Sequence, residues 1–142
     1  VYEIEAIYTD ILNFPVMGTD GEIVYVVSIF FTSRIYSGRT DVARAREYLD
    51  NHWKEEFDII KLAQHVYLSP SQLSRLFKKH IGMTPYNYYQ NIKINHLKIV
   101  LRDKTMSIAQ AFIFCGFEYP GNCTRFFKEK TGMTPSEFRK TI

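Results

Sequence analysis

Within five residues, Ser71, Gln72, Ser74 and Arg75 place two hydroxyls, a carboxamide and a guanidinium side by side, and Lys78 and Lys79 follow one turn later. These groups suit hydrogen bonding to a polyanion with planar acceptor edges. Arg75 carries the fork that fits a guanine edge, and Ser71, Gln72 and Ser74 are short enough to meet bases or phosphates. Lysines are flexible point charges and are better phosphate partners than base readers. The pattern recurs. Residues 74–85, SRLFKKHIGMTP, align with residues 124–135, TRFFKEKTGMTP, at an offset of fifty, with seven of twelve positions identical. Lys128 and Lys130 thereby join Lys78 and Lys79 as expected phosphate contacts. A basic helix stated twice on a short chain is the feature to explain.

Other chemistries find little support. His52, His65, His80 and His96 form no H-x-x-H, H-E-x-x-H or Cys/His cluster, so no metal site is expected. The chain has no Gly-rich phosphate loop, no G-x-S-x-G and no carboxylate pair in an apolar setting. The expectation is a protein that is not an enzyme and needs no cofactor. Cys115 and Cys123 form no C-x-x-C pair, and the expectation is small buried thiols in a reduced, cytoplasmic protein. No apolar run reaches the roughly 18–20 residues of a membrane span.

The elements that must position the basic groups follow from caps and periodicity. Ser69, Pro70 and Gln72 form a helix start with a capping box, and Gly82 can end the helix with positive φ. Leu73, Leu76 and Phe77 recur at helical spacing and should face a core. Upstream, Asp58 starts a short helix with Ile59, Leu62, Ala63 and Val66 inward, and Tyr67-Leu68 makes a tight bend. Short helix, tight turn and second helix are the layout of a helix-turn-helix at about 58–80. Thr84-Pro85 opens a long helix to about Arg102, a rod of about 25 Å that should hold two halves apart. Ser107 and Gln110 form another capping box; the following helix is apolar nearly all round (Ile108, Ala111, Phe112, Ile113, Phe114) and is expected to be buried. Gly116-Phe117 turns the chain, and Glu118 to Lys130 is the second basic helix, giving a second unit at about 107–130. Thr134, Pro135 and Glu137 start a closing helix. Helix N-termini at Ser69, Ser107 and Thr134, with Thr84, can present free N–H groups to phosphates.

Charge divides the chain in two. Residues 1–36 hold Arg34 against Glu3, Glu5, Asp10, Asp20 and Glu22, while residues 41–142 carry sixteen Lys/Arg against ten Asp/Glu. An acidic head and a basic body fit two modules, the second with a polyanionic partner. In the head, Tyr2–Tyr8 and Ile23–Thr32 read as strands joined by a long connection with Pro15, Gly18 and an Asp20-Gly21 turn. Two strands alone are marginal in water. They need a further sheet, a second copy or packing against the body, so a homodimer through this segment is admitted. Asp41 to about Trp53 is an amphipathic helix, with Val42, Ala45 and Leu49 inward and Trp53 taken as core.

Two resemblances add to this reading. The head resembles the last two strands of a PAS sensor domain, which implies that residues 1–36 are the C-terminal hairpin of a truncated sensor domain. Through LSPSQLSRLFKKHIGMTP, YYQNIKINHLKIVL and SIAQAF…CGF…TRFFKEKTGMTPSEFRK, residues 41–142 resemble the DNA-binding domain of AraC-type bacterial transcription regulators. The family implies seven helices, two helix-turn-helix units and a linker helix at about 85–102, within a domain set at 37–142. Its partners would be double-stranded DNA and RNA polymerase. Its base-reading surface maps to Ser71, Gln72, Ser74 and Arg75 in the first unit, and to Pro120, Gly121, Thr124 and Arg125 in the second. Pro120-Gly121 departs from the usual long polar side chains, and Phe112 and Cys123 invert the family's usual small and large residues. The expectation is that the first unit reads sequence and the second mainly holds the backbone. The other reading of the same residues is a protein-interaction or signalling module whose basic helices bind an acidic partner.

Overall fold

The computed structural model describes residues 4–37, 39–117 and 120–141, with the side chains of residues 4–6, 33–37 and 120–121 excepted. Among the described residues a two-stranded antiparallel hairpin, β1 (Ile4–Met17) and β2 (Ile23–Ser37), precedes seven helices. The helices are α1 (Thr40–Asn51), α2 (Ile59–His65), α3 (Pro70–Ile81), α4 (Pro85–Val100), α5 (Ile108–Phe114), α6 (Pro120–Thr131) and α7 (Pro135–Lys140). The mainly helical class, with a hairpin in front, is as the sequence implies.

The hairpin corrects one expectation. The stretch from Thr9 to Met17 is strand and not connection: Asp10 pairs with Phe31, Leu12 with Ile29, Phe14 with Val27 and Val16 with Tyr25. Leu12, Phe14 and Val16 alternate at the strand period, and Pro15, opposite Val26, is tolerable because among the described residues no third strand flanks β1 and needs its N–H. Only Gly18–Glu22 turns, closed by Gly18 N–H donating to Glu22 O at 2.7 Å, with Gly21 at φ +82°. Tyr2, the expected start of the first strand, lies outside the described residues. The described faces of both strands are largely exposed, Tyr25, Val26, Phe30 and Phe31 among them. The tie to the body runs through the Tyr8 hydroxyl, which donates to the Glu47 carboxylate on α1.

Two cores follow. The first packs Val42, Ala45 and Leu49 of α1, Leu62 and Ala63 of α2, and Leu73 and Phe77 of α3 against Tyr89. The second packs Ile94, Leu97 and Leu101 against Ala111, Phe112, Cys115, Cys123 and Phe127. One helix, α4, backs both, so its apolar stripe serves first one core and then the other. Sixteen residues at 1.5 Å each make it about 24 Å long. Trp53 is only half-buried; it stacks flat on His96 of α4 at 3.8 Å between ring centroids. Arg139 on α7 fastens the connection after α4, donating to the carbonyls of Leu101 (3.0 Å), Asp103 (3.2 Å) and Met106 (2.6 Å).

Helix α5 corrects a second expectation. Ala111 and Phe112 are buried, but Ile113 is 61% and Phe114 51% exposed. A helix of seven residues against one core can cover only one side, whatever the rest of its sequence. Lys54 partly shields Phe114, its Nζ 4.1 Å from the ring centre.

Candidate nucleic-acid interface

The basic groups sit on α3 and α6, each the second helix of a two-helix unit. In the first unit, Asp58 caps α2 by accepting from Ile60 N and Lys61 N. The chain turns through Tyr67 at φ +57°, Leu68 N–H donates back to Ala63 O at 3.0 Å, and α3 begins at Pro70. In the second, Ser107 caps α5 and Gly116 turns at φ +73°, with Phe117 N–H donating to Phe112 O at 3.1 Å. Both turns close by the same bond from beyond the helix to its last turn. They differ in what surrounds them. Tyr67 is 89% exposed. A Cβ on Gly116 would stand 2.2 Å from the carbonyl oxygen of Lys54.

The cores behind the two basic helices exchange sizes. Ala63 faces Leu73's core in the first unit; the corresponding buried positions in the second are Phe112 and Cys123. A large residue on the first helix is matched by a small one on the second, as volume conservation requires. Burial pushes both thiols, Cys115 and Cys123, up from their ordinary pKa, against weaker opposition from nearby lysine charge.

On α3, Leu73 and Phe77 face inward and Ser71, Gln72, Arg75, Lys78 and Lys79 are exposed, while Ser74 is half-buried. Gln72 is partly committed: its Oε1 accepts from Ser69 N at 3.1 Å and Ser69 Oγ at 3.0 Å. With that oxygen engaged, the amide NH₂ is the part left to donate outward, and two-point recognition of an adenine edge is closed while the cap stands. On α6, Thr124, Arg125, Lys128 and Lys130 are exposed. The side-chain surroundings of Pro120 and Gly121 lie outside the described residues, as does Glu118, the expected first residue of this helix.

The equivalent arginines are not equivalent in setting. Arg125 Nε lies 3.6 Å from Glu129 Oε1, four residues on, with the two side chains 75% and 66% exposed. Arg75 has Lys79 at that place and forms no ion pair among the described residues. The glutamate is readable as an i, i+4 partner from spacing alone.

The expected phosphate-facing helix starts also divide. Ser69, Thr84, Ser107 and Thr134 are all N-caps, with hydroxyls accepting from Gln72, Asn87, Gln110 and Glu137 N–H. Ser69 and Thr134 also donate their hydroxyl hydrogens, to Gln72 Oε1 and Glu137 Oε2, whereas the Thr84 and Ser107 hydroxyls, accepting from their own helices, keep an O–H that can donate outward. Prolines at 70, 85 and 135 leave no N–H at the first position, so the second-position N–H groups are what remain. At α7, Glu137 Oε2 already accepts from Thr134 N (2.7 Å) and Thr134 Oγ1 (2.8 Å). These bonds, the backbone N–H first, hold its carboxyl below the usual range. That helix start carries its own anion. The start of α4 has Asn87 at the same position and carries none.

A residue with no sequence signal joins the two units. Lys93, on α4, is 6% exposed and its Nζ donates to Gly116 O at 2.9 Å, between the rings of Tyr89 (5.1 Å) and Phe117 (4.8 Å). Among the described residues no group of three or more His, Cys, Asp or Glu could hold a metal ion, and no helix is long and apolar enough to cross a membrane.

Residues 62–141, from within α2 through the closing helix, match the helix-turn-helix domain family. The chain belongs to the AraC-type branch of that family. It is 38% identical over 99 residues to the arabinose operon regulatory protein of Escherichia coli (strain K12), covering 69% of this chain and 34% of that protein. It is 28% identical over 94 residues to the HTH-type transcriptional regulator CdhR of Pseudomonas aeruginosa, covering 66% and 28%. The chain thus spans about a third of the length of these curated relatives. An AraC-type transcriptional regulator from Chromobacterium violaceum superposes with a TM-score of 0.65 at 27% identity, over 71% of this chain and 90% of that one. The DNA-binding domain of AdpA, solved in complex with a target DNA, shares the AraC-type fold with a TM-score of 0.65 at 23% identity, over 71% and 91%.

Proposed function

We propose that the chain binds double-stranded DNA with sequence preference, as the DNA-binding part of a bacterial transcription regulator. The observation that carries this reading is the pair of two-helix units. Each presents a basic helix outward from its own core, and the two are set at opposite halves of one rigid helix. A rod of about 24 Å supports placement of α3 and α6 in successive major grooves, about 34 Å apart on one face of the duplex.

In this reading Arg75 contacts a guanine edge and Ser71 and Ser74 contact bases or the adjoining phosphates. Gln72 donates a single hydrogen bond through its amide NH₂. Lys78, Lys79, Lys128 and Lys130 pair with phosphates, as do the open N–H groups of the helices capped by Ser69, Thr84 and Ser107. The start capped by Thr134 is the weakest of the four, because Glu137 already fills it. Thr124 and Arg125, with Pro120 and Gly121 in front of them, contribute less sequence reading than the first unit. RNA polymerase is the expected further partner of a DNA-bound regulator in the cytoplasm. The exposed apolar hairpin is the proposed contact to a sensor domain or a second copy.

The test is selection of the whole chain, and of its Arg75→Ala variant, against a random duplex library at moderate salt. Enrichment of a site with two short blocks about one helical turn apart, weakened by Arg75→Ala, is the expected result. Salt-sensitive binding with no enriched sequence would leave a basic surface alone and favour an acidic protein partner.

A further inference from the structure

We infer that Glu129 is a specificity-determining residue that restrains the second unit's hold on DNA by occupying Arg125. The inference rests on the DNA-binding reading above. The two basic helices carry the same arginine in the same frame of the repeat, Arg75 and Arg125, and differ in charge four residues later, Lys79 against Glu129. On α3 that position adds a cation for the backbone. On α6 it places a carboxylate 3.6 Å from the guanidinium Nε. A phosphate or a guanine edge must therefore draw Arg125 away from an anion already beside it, and must approach that anion to do so.

The pair is exposed and in high dielectric, so its own contribution is small, on the order of a twofold to fivefold effect. Its sign is what matters. An anion on the DNA-facing side of a recognition helix acts against every duplex, and only a site that gives Arg125 more than Glu129 does will engage the second unit fully. Specificity arises as much from such a repulsive element as from attractive contacts. Pro120-Gly121 at the front of α6, Glu129 beside Arg125 and, on the closing helix that follows, Glu137 at the start of α7 all reduce the readiness of this half to take an anion.

The experiment is anisotropy titration of the whole chain with the selected duplex and with a random-sequence duplex, over a salt series. The proteins are unsubstituted, Glu129→Gln, Arg125→Ala and the double variant. Circular dichroism is the control for folding. Glu129→Gln is expected to tighten binding roughly twofold to fivefold and to steepen the dependence on salt by about one phosphate contact. Both gains should shrink in the Arg125→Ala background, where only the carboxylate's direct repulsion of the duplex is left to remove. An equal gain in both backgrounds would mean that the carboxylate acts only through net charge, and would overturn the inference. Weaker binding by Glu129→Gln would also overturn it, by making the carboxylate a support for Arg125. Failure of the unsubstituted chain to bind either duplex would be a different result, since it removes the DNA-binding reading itself.

Discussion

Lys93 Nζ and the carbonyl oxygen of Gly116 are 2.9 Å apart, which bonds the middle of the connecting helix to the turn of the second unit. The ammonium is buried between two aromatic rings, so its removal leaves the carbonyl without that donor. Lys93→Met, which keeps the apolar stem, is expected to cost about 1–3 kcal/mol in urea unfolding. A larger loss of binding to a two-block site than to either block alone would mark the loss of fixed geometry between the units.

Gly116 is expected to be far less replaceable than Gly132, although both have positive φ. At Gly132 an added Cβ meets open space, and Ala should cost about 1–2 kcal/mol from backbone conformation alone. At Gly116 the Lys54 carbonyl stands in the way at 2.2 Å, and Ala should cost at least about 2 kcal/mol more. Thermal unfolding of the two variants side by side gives the difference; equal losses would mean that the segment at Lys54 gives way freely.

Arg75→Ala is expected to weaken binding to the selected duplex by about 1–3 kcal/mol and to relax preference at one base pair. Arg125→Ala should cost less and relax preference less, within the block met by the second unit. Repeating the duplex selection with each variant separates them, and equal relaxation by both would refute the asymmetry between units.

Tyr89 gives a prediction for alkaline solution. Burial, with smaller effects from Tyr86 and Glu56, pushes its phenol from 10.0 up to about 12, and its hydroxyl donates to Glu55 O at 2.6 Å. A group whose folded pKa is raised stabilises fully below the unfolded value and loses that contribution as pH rises through the folded one. Stability should therefore fall between about pH 10 and pH 12. Tyr89→Phe should flatten that fall while lowering stability at neutral pH by about 1 kcal/mol. An unchanged alkaline limb would assign the loss to other groups.

What could be read from sequence was local. Ser69 with Gln72, Ser107 with Gln110 and Thr134 with Glu137 are reciprocal caps that need no tertiary context, and all three form as expected. The repeat located both basic helices, and Leu73 and Phe77 fixed which side of α3 turns outward. What depends on neighbours was hidden. Lys93 carries the same charge as an exposed lysine, and only the rings and the carbonyl around it account for its burial. Ile113 and Phe114 are apolar by type and exposed by position. Asp10, Asn13 and Pro15 interrupt the apolar run after Tyr8, and its pairing as strand depends on β2. Gln72 illustrates the limit for the site: type and exposure were right, yet half of its amide is taken by Ser69.

The sharing of α4 by two cores has a consequence for how the molecule comes apart. Tyr89 belongs to the first core and Ile94, Leu97 and Leu101 to the second. Loosening of either core strips one end of the helix of its cover and leaves the other end to hold it. The amides in the middle of α4, from Ile92 to Ile94, are therefore guarded from both sides. They should be the last to exchange with solvent, while the outer helices α2 and α7 open on their own.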